Sequence, residues 1–374
     1  MMRKKMLIFH PTIAPYRIDF FNDLSSAFDT DIFLYYSNLK SQKFDYDKIQ
    51  NLFLFKPHYM EKRITLGGRA IYKGHISEII KRQPDIVLVG EYSFGAWCAV
   101  IARAFSKKKY CIITICDDSK NYAENCSGVR KISRNLIMRF LDGIILCNDV
   151  AQNWYSVHYK VQTFVFPIIQ KDEMFRKKMA SSASLAIENI HRYQLIGKKV
   201  YLFVGRLSEE KNIEYLVESF IYAHELNSNA VLLIIGDCGS SGENIMNSVK
   251  ELIRNEKAGS YIMMMGRMEG ENLYAFFNIG QVLILPSLRE AFGAVTNEAL
   301  LAGEYVMVSQ NAGSACLVNE KNGEVLDVSK EYIDFSKINS KIRPLSNDWT
   351  IKESKMPFTY EEKMTALQQW LKTL

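Results

Sequence analysis

The chemistry with the most specific spacing lies in the stretch PSLREAFGAVTNEALLAGEYVMVS, residues 286–309. Glu290 and Glu298 stand eight positions apart, and Gly293 sits among small residues between them. A short apolar run, Val282–Leu285, precedes them, and Thr296 or Asn297 is expected in the first turn of a helix running through Glu298 to Ala302. A strand, a glycine turn and a helix start offer backbone N–H groups and a positive dipole end, which suits a phosphate. Two carboxylates beside such a nest repel a phosphate unless they accept hydrogen bonds from hydroxyls. A carboxylate on a sugar hydroxyl makes a charge-assisted bond. A sugar at each end of a diphosphate, that is a nucleotide sugar, meets both demands.

A second cluster follows another apolar run. Val200–Val204 leads into Gly205-Arg206-Leu207-Ser208-Glu209-Glu210-Lys211-Asn212. Gly205 permits a close backbone approach, and Arg206 and Lys211 place two cations at the mouth of a sheet, although a solvated surface pair is the plainer reading of such residues. In the first half, Cys116-Asp117-Asp118-Ser119 follows the run Tyr110–Ile115, and His10 ends the first run. Asp117 or Asp118 is a candidate for orienting a sugar or an acceptor hydroxyl. The alternatives are turn or helix capping for the aspartates and a structural role for His10. Asp45-Tyr46-Asp47 has the Asp-x-Asp pattern of a divalent-ion site but lies away from any strand end. The seven cysteines form no Cys-x-x-Cys pair, so the sequence predicts free thiols, no zinc site and a reducing, cytoplasmic setting.

These residues need elements to hold them, and the same unit recurs along the chain. Apolar runs at Met6–His10, Asp31–Tyr36, Ile86–Gly90, Tyr110–Ile115 and Gly143–Cys147 are followed by a second set. That set comprises Val200–Gly205, Val231–Gly236, Tyr261–Gly266, Val282–Pro286 and Tyr305–Ser309. The runs are continuous rather than alternating, as in strands buried on both faces of a parallel sheet. Ile213–Leu226 and Ile245–Asn255 have helical periodicity, with Asn212 and Asn244 as N-cap candidates. Such alternation predicts an α/β chain of two doubly wound, Rossmann-like domains facing across a cleft. The expected division is 1–168, 185–355, and a closing helix at 356–374 that packs back on the first domain. The polar stretch Gln170–Ser184 makes the seam.

The 374 residues are 48% hydrophobic and 12% aromatic, which excludes a disordered chain, and no apolar run approaches a membrane span. Residues 1–170 carry 24 Lys and Arg against 15 Asp and Glu, whereas residues 171–374 carry 23 against 26. The basic excess gathers at Arg103 and Lys107–Lys109, and again at Arg130, Lys131, Arg134 and Arg139. Around the second cluster, Val129, Ile132, Leu136 and Phe140 share one helical face and Arg130, Lys131 and Arg134 the other. The expectation is an apolar face packed on the sheet and a basic face turned outward, toward solvent, an anionic acceptor or an anionic membrane surface. No nucleic-acid-binding pattern accompanies the charge, so nucleic acid is not an expected partner.

VGRLSEEKNIEYLVESF and the 286–314 segment, together with the opening IAPYRIDFFNDL, resemble the retaining glycosyltransferases of the GT-B fold, family 4-like, with their Glu-x7-Glu motif. The type is that of bacterial surface-polysaccharide enzymes. The resemblance implies transfer of a hexosyl group from a nucleoside diphosphate sugar to a saccharide or lipid-linked acceptor, with retention and without a metal or other cofactor. It implies that Glu298 holds the ribose and Glu290 the donor sugar, and that Arg206 and Lys211 neutralise the diphosphate. Backbone at Gly205, Phe292–Gly293 and Val295–Thr296 would meet sugar and phosphate, and Gly266, Arg267 and Met268 would flank the base. Family members often carry a Gly-Gly pair in the first loop and a His near the reacting centre; this chain has Pro11–Tyr16 and Asp117-Asp118 there. The implied location is the cytoplasm, at the inner face of the membrane. A sugar-nucleotide epimerase or a silent nucleotide-sugar-binding protein on the same fold are the rival readings.

Overall fold

The computed structural model describes residues 3–36, 49–60, 63–66, 69–226, 228–239 and 242–374. The Asp45–Asp47 triplet lies outside them. The chain divides into two compact units, one of residues 1–169 with 360–374 and the other of 170–359.

Unit 1 contains strands β1 (Lys5–His10), β2 (Asp29–Leu34), β3 (His58–Tyr59), β4 (Arg63–Leu66), β5 (Arg69–Tyr72), β6 (Ile86–Gly90), β7 (Cys111–Cys116), β8 (Gly143–Leu146) and β9 (Gln162–Val165). Seven of them form a sheet in the order β3-β2-β1-β6-β7-β8-β9, and every pairing is parallel. β4 and β5 make a separate antiparallel pair. The central strands are continuous runs of Ile, Val and Leu because helices cover both of their faces. Those helices are α1 (Ile18–Ala27), α2 (His75–Arg82), α3 (Phe94–Phe105), α4 (Lys120–Glu124), α5 (Gly128–Ile137) and α6 (Asp149–His158).

Unit 2 opens with α7 (Asp172–Ser181) and α8 (Ala183–Arg192), which occupy the polar stretch read as a seam. Its six strands are β10 (Lys199–Val204), β11 (Ala230–Ile235), β12 (Ile262–Gly266), β13 (Val282–Leu285), β14 (Tyr305–Ser309) and β15 (Gly323–Leu326). They run in the order β12-β11-β10-β13-β14-β15, all parallel. The helices are α9 (Ile213–Leu226), α10 (Glu243–Asn255), α11 (Glu271–Ile279), α12 (Val295–Leu301) and α13 (Ser336–Lys341). Asn244 lies inside α10, whose N-cap is Gly242, so the capping expectation fails there. Asn212 does precede α9, with its carbonyl accepting from Leu216 N–H, but in a left-handed conformation (φ +57°).

The chain then returns to unit 1 as α14 (Tyr360–Thr373). Tyr360, Met364, Leu367 and Leu371 are buried, and the Trp370 ring stacks on Phe164 of β9, 5.4 Å between centroids. All seven cysteines are free thiols. No helix among the described residues is long and apolar enough to cross a membrane.

Candidate active site

In unit 2 the sheet order reverses at β10, which has β11 on one side and β13 on the other. Loops leaving the carboxyl ends of strands at such a point are where open α/β sheets bind ligands. The loop after β10 carries Gly205, Arg206 and Lys211, and the loop after β13 carries Glu290 and Gly293. Leu288 N–H donates to the Glu210 carbonyl at 2.8 Å, tying the two loops together. Gly236, at the end of β11, has φ +151°, and a Cβ there would overlap the Gly205 carbonyl oxygen. Only glycine lets these two backbones pass so closely.

Lys211 Nζ forms an ion pair with Glu290, and both side chains are largely buried. Two residues read separately from the sequence are therefore one charged pair. Arg206 is exposed and makes no ion pair among the described residues. Glu298, in the first turn of α12, accepts a hydrogen bond from Gln170 Nε2 at 3.2 Å. Burial pushes its carboxyl above the usual range, while the Gln170 amide and the Lys178 cation pull it back. Asn297 Oδ1 accepts from the Gln170 N–H at 2.9 Å, so Gln170 grips the start of α12 with two groups.

The turn before α12 is rigid. Gly293 has φ +88°, and a Cβ on it would come within 2.6 Å of Leu285 Cδ2. Phe292 is buried, its carbonyl accepts from Ser314 N–H, and Ser314 Oγ shares a 2.8 Å hydrogen bond with the buried Thr296 Oγ1. Thr296 N–H donates to the Gly293 carbonyl at 3.0 Å. The Thr296 N–H, expected to meet a ligand, is thus engaged within the turn. Val295 is the first residue of α12. Gly266 ends β12 with φ +73° and leads to Arg267, which is engaged with Glu269 and lies 3.8 Å from Asp237, and to the half-buried Met268.

At the corresponding edge of unit 1, the two aspartates part company. Asp118 is buried, accepting from Arg130 Nη2 at 2.8 Å and Tyr155 Oη at 3.0 Å. Asp117 is half-exposed and pairs with Arg17, whose guanidinium is nearly all buried. Arg17 Nη1 has no partner among the described residues. His10 Nδ1 sits 2.7 Å from the Thr12 carbonyl, and burial lowers its pKa to about 4, leaving the ring neutral. Of the three first-unit candidates, Asp117 is the one with an accessible carboxylate.

The basic helix is turned the opposite way from the expectation. Arg134 is 2% exposed, donates to the Ala123 carbonyl and stacks 4.8 Å above the Trp154 ring. Arg130 pairs with Glu91 and Asp118. Val129, Ile132, Leu136 and Phe140 are the exposed side chains. The inward face of α5 meets carboxylates and aromatic rings, which hold guanidinium groups better than methyl groups. Arg134 is thus removed from any outward basic face; Arg130 stays exposed but is engaged by its two carboxylates, and Lys131 and Arg139 are exposed as well.

Residues 187–356 match the family described as glycosyl transferases group 1. The matched stretch lies within unit 2 and covers most of it. The candidate residues Gly205 to Glu298 all fall inside it. Lipopolysaccharide 1,2-N-acetylglucosaminetransferase of Salmonella typhimurium is 33% identical over 117 residues, covering 30% of this chain and 31% of that protein. The capsular polysaccharide biosynthesis glycosyltransferase CapM of Staphylococcus aureus is 28% identical over 41% of this chain and 38% of its own. The chain thus spans about a third of the length of these relatives. Among solved structures, Anabaena HepE in complex with UDP aligns over 99% of this chain and 100% of its own, with TM-score 0.73 and 14% identity. A glycosyltransferase from Rickettsia africae aligns over 99% and 94%, with TM-score 0.68 and 14% identity. The shared fold is GT-B.

Sequence reasoning missed three residues in the two units. Gln170 carried no signal, because a lone glutamine outside any motif is indistinguishable from linker. Arg17 did carry one: it is the sole cation in the quoted opening IAPYRIDFFNDL. Gly236 closes an apolar run in the same way as Gly205, and that parallel was readable.

Proposed function

We propose that the protein is a retaining, metal-independent glycosyltransferase. It moves a hexosyl group from a nucleoside diphosphate sugar to a saccharide or lipid-linked acceptor in cell-surface polysaccharide synthesis. The observation that carries this reading is the Lys211–Glu290 pair at the reversal point of the unit 2 sheet, with the unpaired Arg206 on the same loop. Breaking a glycosyl–phosphate bond builds negative charge on the leaving diphosphate and positive charge on the sugar. Arg206 and Lys211 stabilise the first, as fixed cations in place before the reaction begins. When the diphosphate draws Lys211 toward itself, Glu290 is released to accept hydroxyls of the donor sugar. Glu298, held by Gln170, accepts the ribose hydroxyls, and the loop Gly266–Met268 borders the base. Asp117, set by Arg17, orients the acceptor hydroxyl. Retention follows if the departing phosphate assists attack from its own face of the sugar.

The test is incubation with a panel of nucleotide sugars and saccharide or lipid-linked acceptors, beginning with UDP sugars because HepE was solved with UDP. Transfer that persists in EDTA is the expected result, with an α-linked product from an α-linked donor. Arg206→Ala lowers kcat by about 10²–10³-fold, as expected when a preorganised charge is removed from the transition state. Glu298→Ala weakens donor binding by about 1.5–3 kcal/mol, read by calorimetry. Epimer formation, or binding without turnover, would replace this reading with one of its rivals.

A further inference from the structure

The outward turn of α5 leaves an apolar surface that the glycosyl chemistry does not use. β6, β7 and β8 are consecutive neighbours, so right-handed crossovers put α3 and α5 on the same face of the sheet. The two helices lie side by side: Trp97 Nε1 donates to Ser133 Oγ at 2.8 Å, and Arg103 Nη2 to the Phe140 carbonyl at 2.6 Å. On α3 the exposed side chains Phe94, Ile101 and Phe105 recur at helical spacing. On α5 and the turn after it, Val129, Ile132, Leu136 and Phe140 do the same. Val129 is 78%, Phe105 71% and Ile132 61% exposed. Two adjacent stripes of this kind exceed the scattered exposure ordinary for a soluble surface.

The charges around the stripes select the occupant. Residues 94–110 and 126–141 contain no Asp or Glu. Nearby carboxylates are engaged: Asp85 with Lys108, Asp142 with Arg103, Asp118 with Arg130, and Glu124 with Lys120. Lys107, Lys109, Lys131 and Arg139 are exposed and make no ion pair among the described residues. We propose that this face of unit 1 docks on an anionic lipid bilayer, its two apolar stripes entering the headgroup boundary and these four cations meeting lipid phosphates. An amphipathic surface of this composition lies in the interface plane rather than spanning it. A second copy of the chain fits poorly, because a two-fold contact sets a patch against itself and would bring like charges together.

The test uses the full chain and vesicles of phosphatidylcholine alone or mixed with phosphatidylglycerol. Co-sedimentation is expected with the mixed vesicles only, and declines at high salt. The triple variant Phe105→Ser, Ile132→Ser, Leu136→Ser and the double variant Lys131→Glu, Arg139→Glu are each expected to bind about tenfold or more weakly. All five side chains are exposed, and a thermal melt confirms that both variants fold. Ile132→Trp should show an additional blue-shifted emission when anionic vesicles are added. Equal binding to both vesicle types, binding to neither, or undiminished binding by the triple variant overturns the proposal. So does sedimentation of the parent as a dimer that the triple variant disperses, which would make the face a contact between copies.

Discussion

His75 sits 2% exposed between Phe9 and the hydroxyl of Tyr35, whose oxygen lies 2.9 Å from Nε2. Burial holds its pKa down to about 4, and His10 is held equally low by the same cause. A histidine depressed in the folded state binds fewer protons there than in the unfolded chain. Its contribution is complete above the unfolded pKa and is lost as pH falls from about 6.5 toward 4. His75 by itself tilts stability by about 1 kcal/mol per pH unit across that window. Melting temperatures followed from pH 7 to pH 5 should therefore fall, and less steeply in His75→Gln. A slope unchanged by that substitution would assign the acid sensitivity to other groups. Glu304 and Lys352 show the same dependence on surroundings: burial raises the Glu304 carboxyl and lowers the Lys352 amine to about 8. Neither environment was readable from residue type, because burial of a single charged side chain depends on neighbours distant in sequence. The glutamates of the Glu-x7-Glu spacing were readable, since both lie in one loop and one helix turn. Their partners Lys211 and Gln170 come from 79 and 128 positions away.

Among the elements, the central strands were legible to within a residue or two because burial on both faces leaves an uninterrupted apolar run. Of the edge strands, β12 was read as Tyr261–Gly266, but β3, β9 and β15 were not. β9 reads Gln-Thr-Phe-Val and β15 Gly-Glu-Val-Leu, each half-buried and too mixed to stand out. The helix α5 shows a different limit. Its period is plain in the sequence, but a period identifies two faces without saying which one is inside. Hydrophobicity favours burying Val129 and Ile132. Trp154 and Tyr155 behind the helix make Arg134 the better fit beside the buried Ile137, while Arg130 pairs with Asp118 and Glu91 from an exposed position. This orientation has its own prediction. Arg134→Ala strands the Ala123 carbonyl and leaves the aromatic cluster without its cation, costing about 2–4 kcal/mol in chemical denaturation. Lys131→Ala, on the exposed side of the same helix, should change stability by less than about 0.5 kcal/mol. Equal effects of the two would mean that the helix is turned the other way.

For the whole molecule, α14 ties residues far apart in sequence into unit 1. Lys4 Nζ donates to the Lys372 carbonyl at 2.8 Å, and Phe166 meets the Tyr360 ring 5.8 Å away, edge to face. Ending the chain at residue 359 uncovers the groove that Tyr360, Met364, Leu367 and Leu371 fill, at about 1.5–3 kcal/mol for each large apolar side chain. Limited proteolysis of that truncated chain should cut within unit 1 first and leave unit 2 intact; cleavage spread evenly over both would contradict it. The arrangement also imposes an order on biosynthesis. Ribosomes release the amino end first, so the seven-stranded sheet emerges while its last helix is still unmade. At about 5–20 residues per second, the 190 residues from 170 to 359 take roughly 10–40 s to appear. Throughout that interval a nascent chain carries a finished sheet with an empty apolar groove, and the ring of Trp370 cannot reach Phe164 until the ribosome has passed well beyond the second unit.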